Sequence, residues 1–165
     1  MQDLRLFKFS HLMLAEATAF QHLFPGVPFI SGRRTIRGQA TAMAINTVRR
    51  RTYCGEVYPH SLFLQQAVDL HPEVTGLIAL TDLLAEALMH CTVEELAHFS
   101  HLNGDAGDLD HGDLENAQGV CTPMGTEVKA YIRSRPATKY FTTREAGLAR
   151  WHWACRHEVI DGAGG

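Results

Sequence analysis

An α+β fold is the expectation for this chain, and three observations carry it. The N-terminal part repeats apolar residues at spacings of three and four, the period of amphipathic helices. Two short β-prone runs fall near the C-terminus. Between them, residues 100–113 are rich in Gly, Asp and His and follow neither period. Helices first and strands later favour α+β over the alternation of an α/β sheet. The 165 residues show no linker, repeat or low-complexity tract, so one domain over 1–165 with a substantial core is expected.

The elements follow in order. Ser10 is placed to cap a helix whose stripe is Met13, Ala17, Phe20 and Phe24, and Pro25-Gly26 ends it. Residues 27–30 read as a short strand before Ser31-Gly32. Residues 35–51 read as a second helix with Ala40, Met43, Ala44 and Val48 on one stripe. A third helix is expected over 61–70, stopping before Pro72, and a fourth along Leu77, Leu80, Leu84 and Leu88. Thr92 with Glu95 three residues on is a capping box, opening a turn of helix over 92–97. A further helix over 126–133 and strands over 139–142 and 148–155 complete the set.

Composition narrows the partners. A net charge of -3 gives no reason to expect nucleic acid or an anionic membrane. Arg49, Arg50 and Arg51 read as a helix end, where cations complement the macrodipole. No apolar run reaches the roughly 18 residues of a spanning helix, so membrane insertion is not expected. The N-terminus lacks an uninterrupted apolar region and a small-residue cleavage site, so synthesis in the cytoplasm without a signal peptide is expected. The four cysteines, Cys54, Cys91, Cys121 and Cys155, form no C-x-x-C pair and read as single thiols in a reducing compartment.

The chemistry is concentrated in residues 100–108. His101 and Asp108 offer an imidazole and a carboxylate, ligand types that suit zinc. Gly104 permits a sharp turn between them, and Ala106 and Gly107 let a carboxylate-bearing strand pack closely. A third ligand has to come from elsewhere, and Trp151-His152-Trp153 is the best source. In a strand, a His between two Trp points away from both, toward a cleft, while the indoles pack behind it. An isolated His and Asp at this spacing would ordinarily be loop residues. The full pattern His101-x-x-Gly104-x-Ala106-x-Asp108 is far narrower.

That pattern resembles the signature of the zinc D-Ala-D-Ala peptidases, a family that includes vancomycin-resistance dipeptidases and many phage endolysins. Two further elements match in the family's order: Ser31-Gly32-Arg33-Arg34 as S-G-x-R, and Trp151-His152 as the closing W-H. The wording around them looks most like small phage-encoded members. The resemblance implies a helix-rich N-terminal part packed on a small antiparallel sheet that carries zinc, a fold shared with hedgehog domains. It implies His101, Asp108 and His152 as the metal ligands with one position left open. It implies Arg34 as the residue holding a substrate carboxylate or carbonyl oxygen, by its fourth place in S-G-x-R. The implied activity is hydrolysis of bacterial peptidoglycan peptide stems, carried out by a holin-released lysin or a virion component. A non-catalytic virion or wall-binding protein that keeps the fold and zinc is the alternative.

One departure stands out. Family members carry a general base as a Glu three residues before the last ligand or a His two before it, and those places hold Ala149 and Arg150. The nearest carboxylate is Glu145, which a turn at Ala146-Gly147 could fold back as the base. Asp110, His111 and Asp113 either orient His101 or form a solvated loop, the loop being favoured. His157 lies beyond the W-H strand without motif support, and His60, His71, His90 and His98 fall at helix ends.

Overall fold

The computed structural model describes residues 2–145 and 148–157, without the side chains of Glu145 and Leu148. After a 3-10 turn (Leu4–Phe7), the helices are α1 (His11–Leu23), α2 (Ile36–Arg49), α3 (Tyr53–Val57), α4 (Leu62–Leu70), α5 (Leu77–Met89), α6 (Val93–Leu96), α7 (Ser100–Asn103) and α8 (Pro123–Ser134). The strands are β1 (Phe29–Ser31), β2 (Ala106–Leu109), β3 (Thr138–Glu145) and β4 (Leu148–Cys155). The class is α+β, with a small antiparallel sheet ordered β1-β2-β4-β3. β1 follows α1 as read, and the strand that bears Asp108 is β2, which pairs between β1 and β4. Contacts gather into two compact units, one holding the sheet with α1 and α8, the other holding α2 to α6 and most of α7.

In the sheet unit, β2 and β4 pair residue by residue: Ala106 with Ala154, Gly107 with Trp153, Asp108 with His152, Leu109 with Trp151. Strand alternation then sorts the two faces. Leu109, Trp151 and Trp153 face the core, where Trp153 stacks on Phe29 at 6.4 Å and meets Phe20 edge-on at 5.8 Å. α1 supplies Met13, Ala17 and Phe20 to this core, its first turn capped by the Ser10 hydroxyl accepting from the Met13 amide. Burial of each large side chain contributes about 1.5–3 kcal/mol. Glu16 of α1 receives two bonds from Arg135, at the end of α8, at 2.6 and 3.0 Å. β1 begins later than the expected 27–30, at Phe29, ends at Ser31 and carries a bulge: Phe29 lies opposite Leu109, while Ser31 lies opposite Asp108. The bulge lets residues two apart serve opposite faces of the sheet.

The helical unit is built as its stripes require, with one correction. Thr35 caps α2 by accepting from the Gly38 amide at 3.0 Å. Ala40, Met43 and Ala44 are buried with Leu64, Val68, Leu80, Leu84 and Leu88. Val48, expected on that stripe, is 52% exposed, because the inward row continues through Thr47. The Thr47 hydroxyl is satisfied there by donating to the Met43 carbonyl. Arg51 lies beyond α2 and donates to the carbonyls of Val68 and His71 at 2.6 and 2.7 Å, capping α4. The Thr92–Glu95 capping box forms as read. The five-residue α3 was not anticipated from sequence, and it is too short for a periodic signal. Among the described residues no helix is long and apolar enough to cross a membrane, and all four cysteines are free thiols.

Candidate metal centre

The spacing between His101 and Asp108 is consumed by three local structures. His101 sits in the single turn of α7, Gly104 reverses the chain, and β2 carries Asp108 into the sheet. Gly104 adopts φ +79, and a Cβ there would lie 2.8 Å from the Lys8 carbonyl oxygen and 2.9 Å from the Ser10 nitrogen. Only glycine satisfies both demands. A Cβ on Gly107 would lie 2.7 Å from the Phe29 ring, so β2 reaches its packed position only with glycine there.

His101, Asp108 and His152 converge. Each is nine-tenths or more buried, and their ligand atoms all lie within 4.8 Å of one another. His152 Nδ1 is 2.9 Å from Asp108 Oδ1, across the β2–β4 pair that places their Cα atoms opposite each other. Two imidazole nitrogens and one carboxylate oxygen are a donor set of catalytic zinc sites, which leave a fourth position open. Tetrahedral zinc at about 2.0–2.1 Å would hold its ligand atoms about 3.3 Å apart, so the His152–Asp108 pair would open slightly and any pair nearer the 4.8 Å limit would draw in. The residues present fit a metal ion of this kind.

Two neighbours of the cluster were not assigned roles from sequence. Arg150 donates through Nη1 to Asp108 Oδ2 at 3.3 Å. The Tyr140 ring on β3 lies 6.0 Å from the His152 ring. The signal for Arg150 was present: residues 150 and 152 of one strand share a face. The signal for Tyr140 required the strand pairing.

On the opposite face, the Trp151 indole donates to Glu115 Oε1 at 2.9 Å. Arg144 Nη1 reaches both oxygens of the same carboxylate at 2.7 Å. Cys155, also on that face, has its thiol pushed up to about 12, chiefly by burial and further by the Glu16 and Asp105 carboxylates. It stays protonated and offers no thiolate.

The two candidate arginines are held differently. Arg34 is half-buried, its amide donates to the His101 carbonyl at 2.8 Å, and its guanidinium donates to Gln39 Oε1 at 3.2 Å. Gln39 is buried and in turn donates to the Tyr58 hydroxyl at 3.1 Å. Arg33 is exposed, and its amide donates to the Phe7 carbonyl. The S-G-x-R element is therefore tied to the histidine motif through the main chain of Arg34. Glu145 is the last residue of β3, and its side chain lies outside the described residues, as do Ala146 and Gly147.

The other candidates resolve simply. Asp110 and His111 belong to a loop in which Asp110 Oδ1 accepts from the Gly112 amide and the His111 carbonyl accepts from Leu114 and Glu115. His157 Nδ1 pairs with Asp105 Oδ2 at 2.7 Å. His71 and His90 stand at the C-caps of α4 and α5. The rings of His60 and His98 stack at 5.7 Å.

No family model matches the chain, and no curated protein or solved structure matches it. The chemistry of the site rests on its donor set and geometry.

Proposed function

We propose that the chain is a zinc metallopeptidase that hydrolyses peptide bonds in the stems of bacterial peptidoglycan. Its proposed setting is a phage: made in the host cytoplasm, it reaches the wall through a holin or as part of a virion. The observation that carries this reading is the convergence of His101, Asp108 and His152 in a buried cluster. Zinc held there would supply an activated water and polarise the scissile carbonyl.

The residues around it divide the remaining work. Asp108 would offer a bound ion one carboxylate oxygen beside the two imidazole nitrogens, and Arg150 braces that carboxylate from its other oxygen. Arg34 would grip a substrate carboxylate or carbonyl oxygen with its planar fork. The bond from Arg34 to Gln39 limits how far that fork can wander before substrate arrives. Glu145 would take the proton of the attacking water and return it to the leaving amine. Trp151 and Trp153, packed on the far face, keep β4 from shifting under His152.

The test is elemental analysis of the purified protein beside digestion of purified peptidoglycan. One zinc per chain and newly released amino groups are expected, and a metal-free protein that leaves peptidoglycan intact overturns the reading. One observation favours a second reading, a wall-binding or virion protein that keeps zinc without catalysis. Ala149 and Arg150 stand where the resembled family carries its base, and Arg150 is engaged with Asp108. That reading predicts zinc uptake and co-sedimentation with peptidoglycan, with no cleavage.

A further inference from the structure

We propose that Arg150 is a positioning residue for Asp108, holding its second oxygen so that the carboxylate offers a metal ion one oxygen only. The inference rests on the metal-centre reading above and concerns how that centre is set.

The two oxygens of Asp108 face different partners. Oδ1 lies 2.9 Å from His152 Nδ1, inside the cluster, and Oδ2 lies 3.3 Å from Arg150 Nη1. Strand geometry explains the division. Arg150 and His152 are two apart on β4, so both side chains leave the same face, and Asp108 stands directly opposite His152 on β2. The Asp108 side chain is 4% exposed, so solvent contributes little to Oδ2, while Arg150 is 27% exposed and reaches in from the rim.

A carboxylate can bind a metal through one oxygen or chelate it through both. Chelation needs the lone pairs of both oxygens turned to the ion. A guanidinium donating to Oδ2 competes for that oxygen directly. Arg keeps its proton at any working pH, so position 150 cannot act as a base. What it brings is a fixed donor and a fixed positive charge beside an anionic ligand. Outer partners of this kind orient the ligands of a metal and raise affinity for it.

Cobalt(II) is the probe, because its visible bands report coordination number: intense when four-coordinate, severalfold weaker when five-coordinate. The parent protein is expected to take up cobalt with the intense four-coordinate spectrum. Arg150→Met removes the donor at similar length, and Asp108 should then chelate. The bands should weaken severalfold, and metal affinity should fall by about 10–100-fold. Arg150→Lys keeps a cationic donor and should restore the spectrum toward that of the parent. The proposal is overturned if Arg150→Met folds, binds cobalt as tightly as the parent and shows the parent's spectrum. Should Arg150→Met not fold, Arg150→Lys decides: bands like those of the parent support the proposal, and bands as weak as five-coordinate cobalt overturn it. A parent protein that takes up neither cobalt nor zinc removes the metal-centre reading itself, a result distinct from an unresponsive Arg150→Met.

Discussion

Replacing His152 with alanine separates the metal contribution of this residue from its contribution to packing. The side chain lies on the face of β4 opposite Trp151 and Trp153, so the aromatic core is not opened by the change. In the metal-free protein the losses include the contact with Asp108 Oδ1 at 2.9 Å and the neighbouring Tyr140 ring at 6.0 Å, the first being the larger. A hydrogen bond to a charged group is worth about 1.5–3 kcal/mol. Arg150 remains on Oδ2, so the lower end of that range applies. For a chain of this length each kcal/mol moves Tm by about 2–4 °C, and the metal-free variant should melt about 3–6 °C below the parent. Zinc adds a second and larger difference. At free zinc about 100 times Kd, binding to the native state alone stabilises by about 2.7 kcal/mol. The parent should therefore gain about 5–11 °C on zinc addition, and His152→Ala should gain almost nothing. The assay is a pair of thermal melts, after chelator treatment and after zinc loading, on both proteins. His157→Ala serves as the control, since His157 pairs with Asp105 and should keep the full zinc response. If His152→Ala melted with the parent's zinc-dependent rise, the ligand assignment would be refuted.

Three other perturbations probe separate parts of the site. Arg34→Ala should keep the zinc-dependent rise in Tm yet cut peptidoglycan cleavage by about a hundredfold or more, as loss of an oxyanion donor does. Arg33→Ala should leave cleavage near that of the parent, and the reverse pattern would put the S-G-x-R register one residue off. Glu145→Gln should bind zinc normally and lose on the order of a hundredfold in rate; undiminished cleavage would remove it as the base. Gly107→Ala places a Cβ 2.7 Å from the Phe29 ring and should destabilise by about 1–3 kcal/mol in a denaturant or thermal melt. A melt matching the parent would mean that Phe29 swings aside freely.

What the sequence made legible is what depends on local pattern. The caps at Ser10 and Thr92 are local hydrogen bonds to amides three residues on, so their signal sits within four residues of sequence. The orientation of His152 followed from strand alternation alone, as did the burial of Trp151 and Trp153. The demand for glycine at 104 was readable as a turn, although the atoms that forbid a Cβ, in Lys8 and Ser10, lie far off in sequence. What was missed depends on pairing between distant segments. That Ser31 stands opposite Asp108 follows from a bulge in β1, which no periodicity announces. Arg150 could be seen as a lost base, but its bond to Asp108 exists only once β2 and β4 are in register. Val48 failed for a subtler reason: a helical stripe can run through a threonine whose hydroxyl is satisfied by its own helix, leaving the apolar neighbour outside.

Glu115 joins these strands in a way that bears on both proposed chemical roles. Its buried carboxylate takes the Trp151 indole and the Arg144 guanidinium together. Trp151 immediately precedes His152, and Arg144 immediately precedes Glu145. One carboxylate thus fixes the neighbour of the proposed metal ligand and the neighbour of the proposed base. Because successive residues of a strand leave opposite faces, an anchor under Trp151 steadies His152 without occupying the space around it. The loop that carries Glu115 is held in turn, since Arg144 also donates to the Gly119 carbonyl, and Gly119 adopts φ +74 where a Cβ would meet that guanidinium. The Gly- and Asp-rich segment after the motif therefore does more than connect β2 to α8. Its first part is a solvated turn, and its second part braces β3 and β4 from the face opposite Asp108 and His152.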